Sequence, residues 1–187
     1  MVFFPWGLNM LHKCFAIRVE GVRFNPMSVH GDFSKMLADP LYTNSVMLFN
    51  DNHGQFCLAK YGTAWFHDEK THSPGGGNAC VRPFQRFDHS IGMPTGPYVS
   101  LEQEVSDAGV SRIAKDMIDE ACYRTIDLFL RRPDKELLYY SVDPTDPPGS
   151  KRIGLAIFAC AVGEDVVQYI SECIQSLPLM LEYKRLH

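Results

Sequence analysis

The stretch from residue 110 to residue 142 constrains the fold more than any other. Ile113, Met117, Ile118, Ala121, Cys122, Ile126 and Phe129 recur at spacings of three, four and five, which track one face of a helix over residues 110–130. Arg131, Arg132 and Pro133 end it, because cations favour a helix C-terminus and proline cannot continue the hydrogen-bond ladder. Leu137-Leu138-Tyr139-Tyr140-Ser141-Val142 follows at once and reads as a strand. A long amphipathic helix feeding directly into a strand is the texture of an α/β chain.

The rest of the chain is organised around that unit. Residues 15–23 partly alternate apolar and polar side chains, a strand broken at Gly21, and residues 27–39 have room for a short helix. Ser45-Val46-Met47-Leu48-Phe49 is a continuous apolar run that stops at Asn50-Asp51-Asn52, as a buried strand ending in a turn would. Residues 53–77 carry little regular signal and read as a long loop excursion. Residues 80–84 suit the start of a strand or helix limited by Pro83, and residues 90–98 make a short apolar approach into a Gly/Pro-rich turn. Ser100-Leu101-Glu102-Gln103 opens a polar stretch, and residues 143–149 form a loop by composition. Val166, Val167, Ile170, Cys173, Ile174 and Leu177 mark a second helix, with Glu164 and Asp165 at its positive end and Pro178 beyond it. These elements predict one domain over residues 1–187, a layered α/β/α sheet. Ligands of such sheets bind at the carboxyl ends of the strands.

Composition narrows the partners. At 187 residues the chain can build one full hydrophobic core, and a net charge of −4 gives no footprint for general nucleic-acid or anionic-membrane binding. Met1 to Trp6 is too brief for a secretory signal, and no apolar run is long enough for a transmembrane helix. Cys14, Cys57, Cys80, Cys122, Cys160 and Cys173 contain no C-x-x-C pair, and several lie in apolar runs. Buried reduced thiols in a cytoplasmic or otherwise intracellular protein fit this pattern better than a disulfide framework.

Three polar turns are candidates for the carboxyl edge. In Gly75-Gly76-Gly77, followed by Asn78, the missing Cβ atoms let backbone N–H groups converge on an anion such as phosphate. In residues 92–98, Gly92 and Gly96 permit a narrow turn, Thr95 offers a hydroxyl and Tyr98 an aromatic wall. Asn50, Asp51 and Asn52 suit sugar hydroxyls or an amide-bearing base. Arg82 and Arg86 follow the glycines, where either could pair with phosphate. Trp65 and Phe66 could stack on a base. His53, Cys57, His67 and His72 have metal-ligand chemistry but no compact zinc spacing, so no metal is expected.

The order of these three turns resembles the macrodomain family, which binds ADP-ribose. In that family a hydrophobic strand ends in an Asn-containing segment, a Gly-rich loop follows, and a later strand enters a Gly-containing turn before a long helix. Asn50 and Asn52 stand at the first segment, Gly75, Gly76 and Gly77 at the second, and Gly92, Thr95, Gly96 and Tyr98 at the third. The segment here is Asn-Asp-Asn, where the family usually has two Asn flanking two Ala. The resemblance implies that the Gly75 and Gly96 loops clasp a diphosphate. It also implies that Asn52 faces the distal ribose, where Asp51 would orient or activate a water. The expected function is binding of ADP-ribose or a related nucleotide diphosphate, free or carried on an ADP-ribosylated protein, with hydrolysis of an ADP-ribose linkage as an extension. No cofactor is expected. A non-catalytic protein-interaction module and a phosphoester or cyclic-nucleotide hydrolase are the alternatives.

Overall fold

The computed structural model describes residues 17–58, 74–107, 110–155 and 162–187. Four strands, β1 (Arg18–Arg23), β2 (Ser45–Asn52), β3 (Ser90–Gly96) and β6 (Leu137–Val142), form one all-parallel sheet in the order β1-β6-β2-β3. The remaining two, β4 (Glu104–Asp107) and β5 (Val110–Ile113), make a separate antiparallel pair. The helices are α1 (Phe33–Ala38), α2 (His53–Leu58), α3 (Ala114–Arg131) and α4 (Glu164–Leu186), with a 3-10 turn at Pro40–Tyr42 and an 11-residue 3-10 helix at Gly77–Phe87. No helix among the described residues is long and apolar enough to cross a membrane.

A parallel sheet must be covered on both faces, and the alternation along β2 shows how. Val46 and Leu48 join a core with Met117, Ile118 and Ala121 of α3 and Val166, Ile170 and Ile174 of α4. Met47 and Phe49 point the other way, into a core with Phe33 and Met36 of α1 and Val81 of the 3-10 helix. The expected α/β/α layering is therefore present. After β2 the chain forms α2, whose Phe56 joins the core with α3 and α4, while the 3-10 helix that leads into β3 lies on one face. The chains after β3 and β6, the neighbours of β2, lead to α3 and α4 on the other. The carboxyl ends of β2 and β3 thus lie between elements of the two faces, at the edge where open α/β sheets bind ligands.

Several local expectations change. β1 runs unbroken through Gly21, where a Cβ would lie 2.4 Å from Val142 Cγ1, so the glycine accommodates a neighbouring strand. β3 continues through Gly92 and Pro94; it is an edge strand, where a missing N–H is tolerated. The predicted helix begins at Ala114 rather than at residue 110. Its first N–H groups, of Ala114 and Lys115, donate to the carbonyls of Gln103 and Leu101, so the turn at residues 100–103 caps it and the preceding residues form β5. Residues 53–58 are the helix α2, not loop. α4 passes through Pro178 to Leu186, because buried Ile174, Leu177 and Leu181 extend one apolar stripe whose packing outweighs one lost hydrogen bond.

At the amino edge, Lys135 is only 2% exposed. Its Nζ donates to the Thr43 carbonyl at 2.6 Å and to His89 Nδ1 at 3.2 Å, tying together the residues that precede β2, β3 and β6. His89 must be neutral to accept that bond, and burial, with Lys135 and Arg132 nearby, holds it below its ordinary 6.5. The unfolded chain therefore takes up the His89 proton first. This contribution to stability is full above 6.5 and is lost as the pH falls from there towards the folded value. Urea unfolding between about pH 8 and about pH 5 should show stability declining on acidification, and His89→Gln, which keeps an acceptor but does not titrate, should flatten that slope.

Candidate functional site

The alternation that sends Phe49 towards the 3-10 helix sends Asp51 the same way two residues later. There it meets Arg82. The Arg82 Nε and Nη2 atoms both donate to Asp51 Oδ1, at 2.9 and 2.7 Å, and the guanidinium lies 5.7 Å from the centroid of the Phe49 ring. Asp51 is 1% exposed and Arg82 5%. Burial pushes the Asp51 carboxyl up, against the pull of the Arg82 charge and hydrogen bond.

The surrounding residues are shaped to this pair. A Cβ on Gly92 would come within 2.7 Å of Asp51 Oδ2, so the neighbouring strand needs glycine there. A Cβ on Gly75 would lie 2.7 Å from Ala79 Cβ and 3.2 Å from both terminal nitrogens of Arg82. Gln85 accepts from the Gly92 N–H at 3.2 Å, and Thr95 Oγ1 donates to the Asp51 carbonyl at 3.3 Å. On the other face, Asn50 Nδ2 donates to the Gly154 carbonyl at 2.6 Å and fixes the chain that follows β6.

Several predicted contact residues have structural tasks instead. Asn78 accepts from the Phe33 N–H at 3.0 Å and donates to the Gly31 carbonyl at 3.2 Å and to Ser141 Oγ at 2.8 Å. It pins the start of the 3-10 helix to α1 and to β6. Asn52 is exposed, and its Oδ1 accepts from the Gln55 N–H at 2.8 Å, which caps the start of α2. Tyr98 is not an open aromatic wall. It is fully buried, edge-on to His53, with its hydroxyl 3.5 Å from His53 Nδ1. Gly96 is buried too, and its φ of +104° turns the chain so tightly that a Cβ would meet the Tyr98 nitrogen. Arg86 lies 4.5 Å from the centroid of the Phe87 ring, along the helix and away from the glycines. Trp65, Phe66, His67 and His72 lie outside the described residues, and among the described residues no cluster of His, Cys, Asp or Glu suits a metal.

Two features remain open. Gly76 and Gly77 are exposed, with nothing within 4 Å of a built Cβ, and Gly77 has a φ of +53°. The Gly75 N–H bonds to the Ala79 carbonyl, but those of Gly76, Gly77 and Asn78 have no partner among the described residues. A left-handed residue followed by right-handed turns is the arrangement in which successive N–H groups form an anion-binding concavity. Asp51 Oδ2, His53 Nε2, Gln55 Oε1 and Gln85 Nε2 are buried without hydrogen-bond partners among the described residues. Such orphans are uncommon in native proteins and call for a physical role. Gln85 escaped the sequence reading, yet Ala79, Arg82 and Gln85 repeat every three residues, the period of a 3-10 helix. Grooves of ≈490 Å³ along α4 and ≈380 Å³ between α3 and α4 are not lined by any of these residues.

Comparison with protein-family models, with curated proteins and with solved structures finds no match to this chain.

The pair at Asp51 and Arg82 gives a direct test. Arg82→Met or Asp51→Leu alone leaves a buried charge uncompensated and should lower stability by about 3–5 kcal/mol. The double substitution should cost much less than the sum, measured as a double-mutant cycle in urea. Additive losses would contradict the pairing.

Proposed function

We propose that the protein binds a nucleotide diphosphate of the ADP-ribose class at the carboxyl edge of its parallel sheet. The observation that carries this reading is the row of N–H groups at Gly76, Gly77 and Asn78 that have no partner among the described residues, with open space at the two glycines, at the start of the 3-10 helix. Donors in that arrangement favour an oxyanion, and the helix dipole adds to them. Asn78, bonded to Ser141 near the end of β6, and the Asp51–Arg82 pair hold the donors beside the carboxyl ends of the strands. The order of the three turns, which resembles that of macrodomains, supplies the ligand class.

Turnover has less support than binding. Asn52 Oδ1 is engaged in capping α2, and Asp51 is held by Arg82, with its free oxygen packed against Gly92. The proposed chemistry is therefore recognition of the diphosphate by backbone amides. Hydrolysis would need Asp51 Oδ2 to reach a water at the edge.

Isothermal calorimetry with ADP-ribose should give a saturable heat. Gly76→Glu should abolish it, because a carboxylate then occupies the space meant for the anion. The same variant should unfold at the wild-type temperature, since the backbone at Gly76 has a φ of −76° that any residue adopts. An absence of heat with ADP-ribose and related dinucleotides would overturn the reading.

A further inference from the structure

The interface of α3 and α4 holds a second group of reactive side chains, independent of the carboxyl edge. Cys122 on α3 is 3% exposed and Cys173 on α4 is half-buried; neither is in a disulfide. Both line the ≈380 Å³ groove between the two helices, together with Asp119 and Tyr169. The two thiols face the same groove and lie near enough for each to shift the other's ionisation. Tyr169 donates its hydroxyl proton to Asp119 and is also within hydrogen-bond reach of Cys173. Lys115 Nζ sits 2.8 Å from Asp119 Oδ2 and 5.0 Å from the centroid of the Tyr169 ring, which brings a cation to the same cluster.

A thiol reacts through its thiolate, and the surroundings decide which sulfur ionises. The interaction with Cys122, followed by that with Tyr169, holds the Cys173 thiol below its ordinary range despite partial burial. Cys122 is pushed far up by the same interaction and by burial, so it keeps its proton. The sulfur that ionises is thus the more accessible one, and a protonated partner lies against it.

We propose that Cys173 and Cys122 are a peroxide-reactive pair that closes into a reversible disulfide between α3 and α4. In the first step the Cys173 thiolate attacks one oxygen of hydrogen peroxide. The S–O bond forms, the O–O bond breaks, and the departing hydroxide takes a proton to leave as water, which gives a sulfenic acid on Cys173. In the second, the Cys122 sulfur attacks the Cys173 sulfur. The S–S bond forms, the S–O bond breaks, and the hydroxyl leaves with the Cys122 proton as a second water. The two thiols lose two electrons and two protons in all, and the peroxide accepts them. A dithiol reductant reverses the change.

The test uses the full chain, treated with hydrogen peroxide, blocked with N-ethylmaleimide and digested without reduction for mass spectrometry. The expected product is a peptide pair joined through Cys122 and Cys173, lighter by two hydrogens and separated by dithiothreitol. In Cys122→Ser, Cys173 should be trapped as a sulfenic acid that dimedone labels. In Cys173→Ser, Cys122 should remain a free thiol after the same treatment. Iodoacetamide should alkylate wild-type Cys173 several-fold faster than Cys122, a comparison that needs no variant to fold. The proposal is overturned if both thiols stay fully alkylatable after peroxide, if either pairs with another cysteine instead, or if Cys122 is the thiol that dimedone captures.

Discussion

The carboxyl edge of the sheet depends on one buried ion pair. Asp51 is carried inward by the strand alternation that buries Phe49, and there its charge requires a partner. Arg82 supplies two hydrogen bonds to one carboxylate oxygen and places its guanidinium over the Phe49 ring. Removing two ions from water carries a desolvation cost that such contacts offset only in good geometry, so the pair is a stronger constraint on position than a source of stability. The other consequences follow from its dimensions. β3 must pass Asp51 without a side chain, the loop before the 3-10 helix must pass Arg82 without one, and Gln85 and Thr95 bond to the backbone around the carboxylate.

That dependence separates glycines that look alike in sequence. Gly75 is needed because a guanidinium fills the place of its Cβ, whereas Gly76 and Gly77 have open space around them. A run of three thus combines one packing position with two that leave backbone amides accessible. Gly92 and Gly96 divide in the same manner. The first yields space to a carboxylate in the middle of a strand, and the second bends the chain beyond the reach of any other residue. Of these five glycines, only Gly76 and Gly77 have open space at the Cβ position.

The elements that bury a face were legible, because apolar periodicity is a direct record of burial. The strand beginning at Ser45, which runs on through the predicted turn to Asn52, the strand at 137–142, the helix ending at Arg131 and the layered α/β arrangement belong to this group. Features set by contacts distant in sequence were not. The start of α3 is decided by carbonyls at residues 101 and 103, and the passage of α4 through Pro178 by Leu181 on the buried stripe. At the site, of the three segments read as turns by composition, Asn50–Asn52 and residues 92–96 are the ends of β2 and β3, because each pairs with its neighbour in the parallel ladder, and chain connectivity brings them with residues 75–77 to one sheet edge. Which side chains would face outward was not readable. Asn78 in the 3-10 helix, Thr95 in β3 and Tyr98 just after it are polar residues that bond inward as readily as they could meet a ligand.

Those engagements decide what kind of chemistry the edge can perform. Asn50, Asn78, Thr95 and Arg82 each hold part of the scaffold by a side-chain hydrogen bond, so a ligand that competed for them would have to loosen the fold. The N–H groups at residues 76–78 carry no such obligation. Recognition through main-chain donors also needs no side-chain ordering when the ligand arrives, because the 3-10 helix and Asn78 have already fixed their positions. The atoms of Asp51, His53, Gln55 and Gln85 that lack partners among the described residues are buried, and they suit ordered water. The ion pair between Asp51 and Arg82 holds the end of β2 and the 3-10 helix in register, so the backbone at residues 76–78 is set by the scaffold.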